Sequence, residues 1–281
     1  MPERFGLRRV VAVAPDDWAA GAVAAFARQY PAAWARQSIP EAEIAALVEA
    51  SDGDPVRFQR FLKRRLHGDP LAYILGHVTF AGRRFLMDRR AYATDPETIH
   101  LVTAVKSWVQ AQQRPIHAAE IGVGAGALAI TLLLDAPNVR VTGLELDGGA
   151  AGLCRENAAR HGVKIDVVES DLLSSWGDRP APDVLYGDLP WGDETTLYGE
   201  DRDADHYHRM PPTTAFPLSG RTGAHQDLVR AVRARGWTTP LWLNCGTLPD
   251  GDIADIVAAA EGMRAEVVTA APTARLLHLV S

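Results

Sequence analysis

The sequence has little cysteine and no excess of positive charge. Two of its 281 residues are cysteines, Cys154 and Cys245, and they form no C-x-x-C pair, which excludes a disulfide framework. The formal net charge is −6 and the sequence pI is about 5.8. Because no overall basic field attracts a polyanion, we expect no nucleic-acid partner.

Long apolar runs are also lacking. A membrane-spanning helix needs about 18 consecutive apolar residues, and no apolar run in this sequence is that long. The first residues also lack the basic region followed by an apolar stretch that is typical of a signal peptide. These absences predict a cytoplasmic protein without a membrane partner, and they leave the oligomeric state open. The 281 residues, 47% of them hydrophobic, suffice to bury the core of one large domain beside a smaller one.

Apolar residues at helical spacing predict a small helical bundle in the first part of the chain. The first helix follows an Asp cap, Ser38-Ile-Pro-Glu opens the second, and the third has Pro55 in its first turn. The predicted helices span 16–30, 38–50 and 54–66.

An alternating pattern on both sides of Ala81-Gly82 predicts a β-hairpin after the bundle. Its two strands are expected at 73–80 and 84–88. The predicted domains are therefore a helical domain at 1–70, a hairpin linker at 71–92 and a main domain at 93–281.

A glycine-rich turn between a predicted strand and a predicted helix is the most informative segment. Residues 118–127 read Ala-Ala-Glu-Ile-Gly-Val-Gly-Ala-Gly-Ala. At Gly122, Gly124 and Gly126 the backbone can turn tightly and approach a ligand without a Cβ in the way. Such a turn binds dinucleotides or S-adenosylmethionine (SAM), or it serves only tight packing. Glu120 favours SAM, because a carboxylate suits the ammonium of a methionine group and repels a pyrophosphate.

Further acids follow the next predicted strands. Glu145 ends a strand about twenty residues beyond the glycines, where an acid accepts ribose hydroxyls. Asp171 follows the third strand, within reach of an adenine amino group, and Asp188 follows the fourth. Glu145 or Asp147 could instead cap a helix, and Asp171 could form a turn. Together with Glu120, however, the acids line the sheet edge at which open α/β folds bind ligands.

The C-terminal part completes a class I SAM-dependent methyltransferase fold, which is α/β with a Rossmann-like, seven-stranded sheet. After five parallel strands, the segments 265–270 and 275–280 predict a closing hairpin whose last strand inserts antiparallel. The remaining predicted elements are helices at 226–235 and 252–263 and a strand at 240–244.

Four segments carry a family resemblance. Gly68-Asp-Pro-Leu-Ala-Tyr-Ile-Leu-Gly76 has the pattern G-x-P-x-A-Y-x-x-G, followed by Phe80-x-Gly82-x-x-Phe85 and by Asp95-Pro96-Glu97-Thr98. Beyond the glycine turn comes the tetrad Asp188-Leu189-Pro190-Trp191. The chain thereby resembles the HemK-type protein-glutamine N-methyltransferases, which modify peptide release factors and carry a catalytic N-P-P-Y tetrad. The resemblance implies SAM as cofactor, catalytic roles for Asp188, Pro190 and Trp191, and an N-terminal helical domain.

Three positions depart from the family pattern. Asp188 replaces the Asn of the tetrad, Asp95 replaces an Arg of the R-P-E-T segment, and Pro211-Pro-Thr-Thr-Ala215 stands where the family shows E-P-x-x-A. In the family, the Asn oxygen and a Pro carbonyl accept the two N–H bonds of the glutamine amide. Here the corresponding acceptors are the Asp188 carboxylate and the Leu189 carbonyl, with Trp191 as the platform beneath.

A carboxylate facing an indole ring suits a cationic nitrogen. We therefore expect N-methylation of a small guanidine or amine, such as arginine, with Asp188 accepting the proton that is released. The alternatives are glutamine methylation in a release factor and a non-catalytic homologue that binds SAM or a partner. The likeness of D-L-P-W to a D-P-P-W tetrad also suggests adenine methylation in nucleic acid, which the acidic balance disfavours.

The residues after the tetrad, roughly 192–225, form an acidic segment too long for an ordinary loop. It is either a solvated loop or a substrate lid that steers cations, and Tyr198 within it is a candidate substrate-binding residue. His206-x-His208 with nearby Asp residues has no rigid framework to fix metal ligands. We therefore expect no metal site.

Overall fold

The computed structural model describes residues 15–36, 39–193, 209–211, 216–217 and 219–281. The chain divides into two compact units, residues 1–75 and 76–281. The β-hairpin that was expected to be a separate linker lies within the second unit.

The first unit is helical. Phe58, Leu62 and Leu66 repeat every four residues along one of its helices, and they are fully buried against Leu47. Asp54 caps that helix, because its carboxylate accepts the backbone N–H groups of the first turn at 2.9 and 3.2 Å. The three predicted helices are thus confirmed, as part of the series α1 (Pro15–Gln29), α2 (Pro31–Arg36), α3 (Glu41–Ala50), α4 (Pro55–Leu66) and α5 (Leu71–Leu75).

The prediction that residues 73–80 form one strand is wrong in its first part. Residues Leu71–Leu75 are helical, and Gly76 ends this helix with a φ of +76°. A left-handed residue, usually glycine, commonly terminates a helix, so the extended chain starts only after Gly76. The predicted turn at Ala81-Gly82 is confirmed, with φ values of +49° and +72° that fit a two-residue hairpin.

The second unit is built on a seven-stranded sheet of order β5-β4-β3-β6-β7-β9-β8. The strands β3 to β7 run parallel, and β9 lies antiparallel between β7 and β8. This confirms the predicted fold class. The elements are β1 (His77–Phe80), β2 (Arg83–Leu86), a 3₁₀ turn (Pro96–Thr98), α6 (Ile99–Ala111), β3 (Ile116–Ile121), α7 (Ala127–Asp135), β4 (Val139–Glu145), α8 (Gly148–His161), β5 (Asp166–Glu169), a second 3₁₀ turn (Ser174–Trp176), β6 (Val184–Gly187), α9 (Gly223–Ala234), β7 (Leu241–Gly246), α10 (Asp250–Ala259), β8 (Arg264–Ala271) and β9 (Ala274–Val280).

The central strand β3 is buried along all six of its residues. Ile116 and Ala118 pack into the apolar cluster that contains α6 and α7, whereas Ala119 and Ile121 pack into the cluster that contains α9 and α10. Because successive side chains of a strand point to opposite faces, helices cover the sheet on both sides. Ligands can therefore reach the central strands only at their ends.

None of the helices in the described ranges has both the length and the hydropathy needed to cross a bilayer.

One buried amide ties the hairpin to the glycine turn. The Asn157 Oδ1 atom accepts the backbone N–H of Leu86 at 2.7 Å, and its Nδ2 atom donates to the carbonyls of Leu86 at 3.0 Å and Ala125 at 2.9 Å. Asn157 is fully buried on α8. It therefore satisfies three backbone groups with one buried side chain.

Replacing Asn157 with Leu should destabilise the second unit by about 2–4 kcal/mol, because each buried polar group left unpaired costs about 1–3 kcal/mol. Urea unfolding measures this loss. The same substitution at the exposed Asn138 is the matched control and should change the stability by less than about 0.5 kcal/mol. Equal stabilities of the two variants would show that the amide is dispensable.

Candidate active site

The structure brings the four predicted acids to one edge of the sheet. Glu120 is the penultimate residue of β3, Glu145 ends β4, and Asp188 directly follows β6. Asp171 lies two residues beyond β5. Because β5, β4, β3 and β6 are adjacent and parallel, these carboxyl ends meet along the edge at which open α/β folds bind ligands.

The glycine turn at this edge favours glycine at three positions. Gly122, Gly124 and Gly126 have φ values of +71°, +53° and +84°, a region that other residues enter at a cost. A Cβ on Gly126 would also lie 2.7 Å from the Sγ atom of Cys154. Gly126 is the N-cap residue of α7, so the turn leads directly into the helix.

Glu145 is fixed against this turn. One carboxylate oxygen accepts the backbone N–H of Gly124 at 2.8 Å, and the other accepts that of Asp147 at 3.0 Å. Burial raises the pKa of Glu145. Of the two possible helix caps, it is Asp147 that caps α8, accepting the N–H groups of Gly149 and Ala150. The carboxylate of Glu145 therefore does not cap α8 and lies beside the glycine turn, at the sheet edge where ligands bind in open α/β folds.

Glu120 is buried, with 1% of its surface exposed. Among the residues that the structure describes, none offers its Oε2 atom a hydrogen bond. Burial raises the pKa of Glu120 well above its usual value, and the negative charges of Asp188 and Glu145 act in the same direction. A buried carboxyl oxygen without a donor is suited to a cationic group, so the Glu120 position fits the ammonium of a methionine moiety.

Asp171 lies in a turn, as the alternative interpretation predicted. Its backbone carbonyl accepts the N–H of Ser174 at 2.9 Å, and the next residue, Leu172, has a φ of +47°. The Asp171 side chain is exposed. The turn therefore presents this carboxylate to solvent near the ends of β5 and β4, where the adenine contact was predicted.

Asp188 has a partner that the sequence did not reveal. The Nδ2 atom of Asn244 donates to the Asp188 Oδ1 atom at 2.8 Å. The pairing of Gly187 on β6 with Leu243 on β7 puts the two side chains side by side, one residue further along each strand. The only signal in the sequence is that Asn244 lies near the end of the strand that follows β6.

The other residues of the tetrad pack against the sheet edge. Leu189 is buried, whereas Pro190 and Trp191 are half-buried. A Cβ on Gly246, at the end of β7, would collide with the indole ring of Trp191. Gly246 has a φ of +45°. The ring therefore lies directly on a glycine, a second contact that the sequence did not predict.

The chain after the tetrad is attached to the segment before α9. The backbone N–H of Gly192 donates to the carbonyl of Arg221 at 2.9 Å. The Arg221 guanidinium forms ion pairs with Asp252 at 2.8 Å and with Asp193 at 3.9 Å. Other residues of this segment that were singled out, namely Tyr198, His206, His208 and 212–215, lie outside the described residues. Within the described ranges, no group of three or more His, Cys, Asp or Glu side chains is arranged to hold a metal ion.

Asp95, where the resembling family has Arg, acts locally. Its carboxylate accepts the N–H of Glu97 at 3.0 Å and caps the first 3₁₀ turn. Its carbonyl accepts the hydroxyl of the buried Thr98 at 2.7 Å. Asp95 therefore helps to fix the chain that enters α6.

Known proteins resemble this chain in sequence. A family model described as "Methyltransferase small domain" matches residues 95–185. A release factor glutamine methyltransferase of Koribacter versatilis is 32% identical over 54% of this chain and 52% of its own length. That of Nitratidesulfovibrio vulgaris is 27% identical over 73% of this chain and 69% of its own length. The chain spans about half the length of the first relatives that it matches.

Solved structures resemble it in fold. The T. thermophilus 16S rRNA N2 G1207 methyltransferase, solved in complex with AdoMet and guanosine, has a TM-score of 0.50 at 15% identity and covers 73% of this chain and 49% of that one. The catalytic domain of hMettl16 has a TM-score of 0.51 at 12% identity and covers 69% and 73%. At such low identities, these likenesses support the fold alone.

The sheet order and the glycine turn define a class I SAM-dependent methyltransferase fold. Within this fold class, the sequence matches show that the chain is similar to release factor glutamine methyltransferases, as the resemblance to the HemK type predicted.

Replacing Gly126 with Ala should destabilise the protein by about 1–2 kcal/mol through the left-handed backbone alone, with a further cost from the contact with Cys154. Urea unfolding measures the change. Gly152→Ala is the control, since that glycine lies inside α8 with open space at its Cβ position. The control should be stabilised by about 0.5–1 kcal/mol. Equal effects at the two sites would contradict the proposed strain.

Replacing Glu120 with Gln should stabilise the ligand-free protein increasingly as the pH rises. Because folding raises the pKa of Glu120, its favourable contribution is complete below the pKa of the unfolded chain and is lost as the pH rises through the folded-state pKa. Each tenfold difference in proton affinity corresponds to about 1.4 kcal/mol.

Urea unfolding at pH 5 and pH 8 tests this pH dependence. The stability difference between the Glu120→Gln variant and the wild type should be larger at pH 8. The substitution Glu261→Gln, at a side chain that is 84% exposed, is the control and should change the stability by less than about 0.5 kcal/mol at both pH values. A difference that shrinks as the pH rises would contradict burial of the Glu120 carboxyl.

Proposed function

We propose that this protein is a SAM-dependent N-methyltransferase whose acceptor is a glutamine side-chain amide in a protein of the release factor type. The observation that carries the proposal is the position of Asp188. Asp188 directly follows β6, accepts a hydrogen bond from Asn244, and lies beside the glycine turn. The glycine turn lies next to the tetrad. A Cβ atom added to Gly122 would lie 3.9 Å from the Asp188 carbonyl oxygen and 3.5 Å from the Leu189 side chain.

The cofactor side of the site is formed by the glycine turn and the acids beside it. In this proposal Glu120 binds the ammonium, Glu145 binds the ribose hydroxyls, and Asp171 binds the adenine amino group. Gly122, Gly124 and Gly126 allow the backbone to approach the ligand. Bound SAM would supply the methyl group: the acceptor nitrogen bonds to the methyl carbon, the carbon–sulfur bond breaks in line, and the sulfur leaves as a neutral thioether. The proton that the nitrogen loses would pass to the Asp188 carboxylate.

The acceptor side must orient a poor nucleophile. An amide nitrogen shares its lone pair with the carbonyl, so the protein has to hold the nitrogen in line with the methyl group and exclude water. The carboxylate of Asp188 and the carbonyl of Leu189 are hydrogen-bond acceptors for the two amide N–H groups. Trp191, supported by Gly246, is the flat surface under the amide, and Pro190 limits the freedom of the tetrad backbone.

A cationic acceptor is the second candidate, favoured by one observation. Asp188 is a half-buried carboxylate three residues from the indole of Trp191, and this pair suits a guanidinium or an ammonium. The named relatives favour the amide acceptor instead. The small guanidine or amine therefore ranks behind the glutamine side chain.

Transfer of label from methyl-labelled SAM separates the candidates. The protein is incubated with a bacterial release factor, or with a panel of amines and guanidines including arginine. Label on a release factor glutamine supports the proposal, whereas label on an amine supports the second candidate. Cofactor binding by calorimetry with no label on any acceptor would indicate a non-catalytic homologue.

Replacing Asp188 with Asn should discriminate between the two acceptors. An amide oxygen still accepts an amide N–H, so methylation of glutamine should be retained within about tenfold. A cation loses its charge-assisted partner, so kcat/KM for an amine should fall about tenfold or more, since such hydrogen bonds contribute about 1.5–3 kcal/mol.

The exposed Asp178→Asn is the charge-matched control and should leave both rates unchanged. If Asp188→Asn lowered methylation of glutamine more than that of amines, the proposed acceptor role of the carboxylate would be wrong.

A further inference from the structure

The side chain of Asn244 is oriented by hydrogen bonds at the end of β7. Its Oδ1 atom accepts the backbone N–H of Gly246 at 3.2 Å, and its Nδ2 atom donates to Asp188 Oδ1 at 2.8 Å. A backbone N–H can only donate, so it fixes the amide oxygen toward Gly246. The amide nitrogen must then face Asp188, and the group beside it must be an acceptor.

The backbone of Asn244 is held as well. Its carbonyl accepts the Nε2–H of His225 on α9 at 2.9 Å. His225 is fully buried, and burial lowers its pKa to about 4, so the ring is neutral and donates from Nε2. Asn244 is therefore attached at its backbone to α9 and at its side chain to Asp188.

We propose that Asn244 is a positioning residue of the acceptor site, which orients the Asp188 carboxylate. This inference rests on the proposed function, because it specifies how the methyl acceptor is selected. The Nδ2–H group of Asn244 holds one oxygen of the Asp188 carboxylate in a fixed direction, and a hydrogen bond of this kind stabilises the charged form of a carboxyl group. The same strand end carries Gly246 under the Trp191 ring, so the end of β7 supports both the hydrogen-bonding and the aromatic part of the acceptor site.

The arrangement permits an exchange of the two side chains. In the double variant Asp188→Asn with Asn244→Asp, the new carboxylate on β7 accepts the N–H of Gly246 and an N–H of the new amide on β6. Both hydrogen bonds are retained, but the charge moves from β6 to β7. In the single variant Asn244→Asp, two carboxylates face each other, and the hydrogen bond between the two side chains is lost.

The experiment measures kcat and KM for the labelled acceptor, the Kd of the demethylated cofactor, and their dependence on pH. Asn244→Asp should lower kcat/KM about 10–100-fold, the scale expected of a misplaced reacting group. Cofactor Kd should stay within about threefold, since the side-chain hydrogen bonds of Asn244 go to Asp188 and Gly246 and not to the glycine turn. The loss should shrink at lower pH, because a proton shared by the two carboxyls restores one hydrogen bond.

The double variant Asp188→Asn with Asn244→Asp tests whether Asn244 acts by orienting the group at position 188. Its activity toward glutamine should exceed that of Asn244→Asp about tenfold, whereas its activity toward amines should not recover. The exposed Asn138→Asp is the matched control for an added charge. A double variant no better than the product of the two single effects, or an Asn244→Asp variant with unchanged kcat/KM and pH profile, would overturn the proposal.

A measurement without any acceptor separates this inference from the proposed function. Carboxyl carbon NMR follows the titration of Asp188 in the wild type and in Asn244→Ala, and loss of the Nδ2 donor should raise the pKa of Asp188. If the wild type transfers no methyl group, the proposed function fails, and the positioning role is decided by this titration. An unchanged pKa of Asp188 then overturns it.

Discussion

The central constraint on this molecule is that its parallel strands are buried on both faces. All six residues of β3 are buried, and its apolar side chains alternate between two clusters that are covered by helices, so there is no room for a polar ligand along the sheet. Polar chemistry is confined to the strand ends, and the parallel direction brings these ends to the same edge. Glu120, Glu145 and Asp188 are therefore neighbours, although they are far apart in the sequence.

The acids at this edge differ in the ligand group that each can bind, because they differ in the hydrogen bonds that they already accept. Glu145 accepts two backbone N–H groups that hold it against the glycine turn. Glu120 is buried more deeply, and no described residue donates to its Oε2 atom, so its neutral form is favoured until a cation binds. The site thus contains one carboxylate that the fold has already satisfied and one that a ligand would satisfy. Because of this difference, we assign Glu145 to the neutral ribose and Glu120 to the ammonium.

The acceptor side depends on contacts between two neighbouring strands. Asn244 orients Asp188, and Gly246 leaves space for the ring of Trp191. The change from Asn to Asp in the tetrad is therefore not isolated, because an amide on β7 now faces the carboxylate on β6. A pair made of one carboxylate and one amide can hold a glutamine amide with either order of the two groups.

The sequence by itself determined the fold class, three helices of the first unit, the hairpin turn and the acids at the sheet edge. These features depend on local signals, such as apolar spacing, caps and glycines, and on the rule that parallel strands end at one edge. It failed at residues 73–75, where helix and strand patterns are alike over a few apolar residues, until Gly76 ends the helix. Only the tertiary structure revealed Asn157, Asn244 and Gly246, because each acts on residues distant in the chain, and register between strands decides which side chains meet.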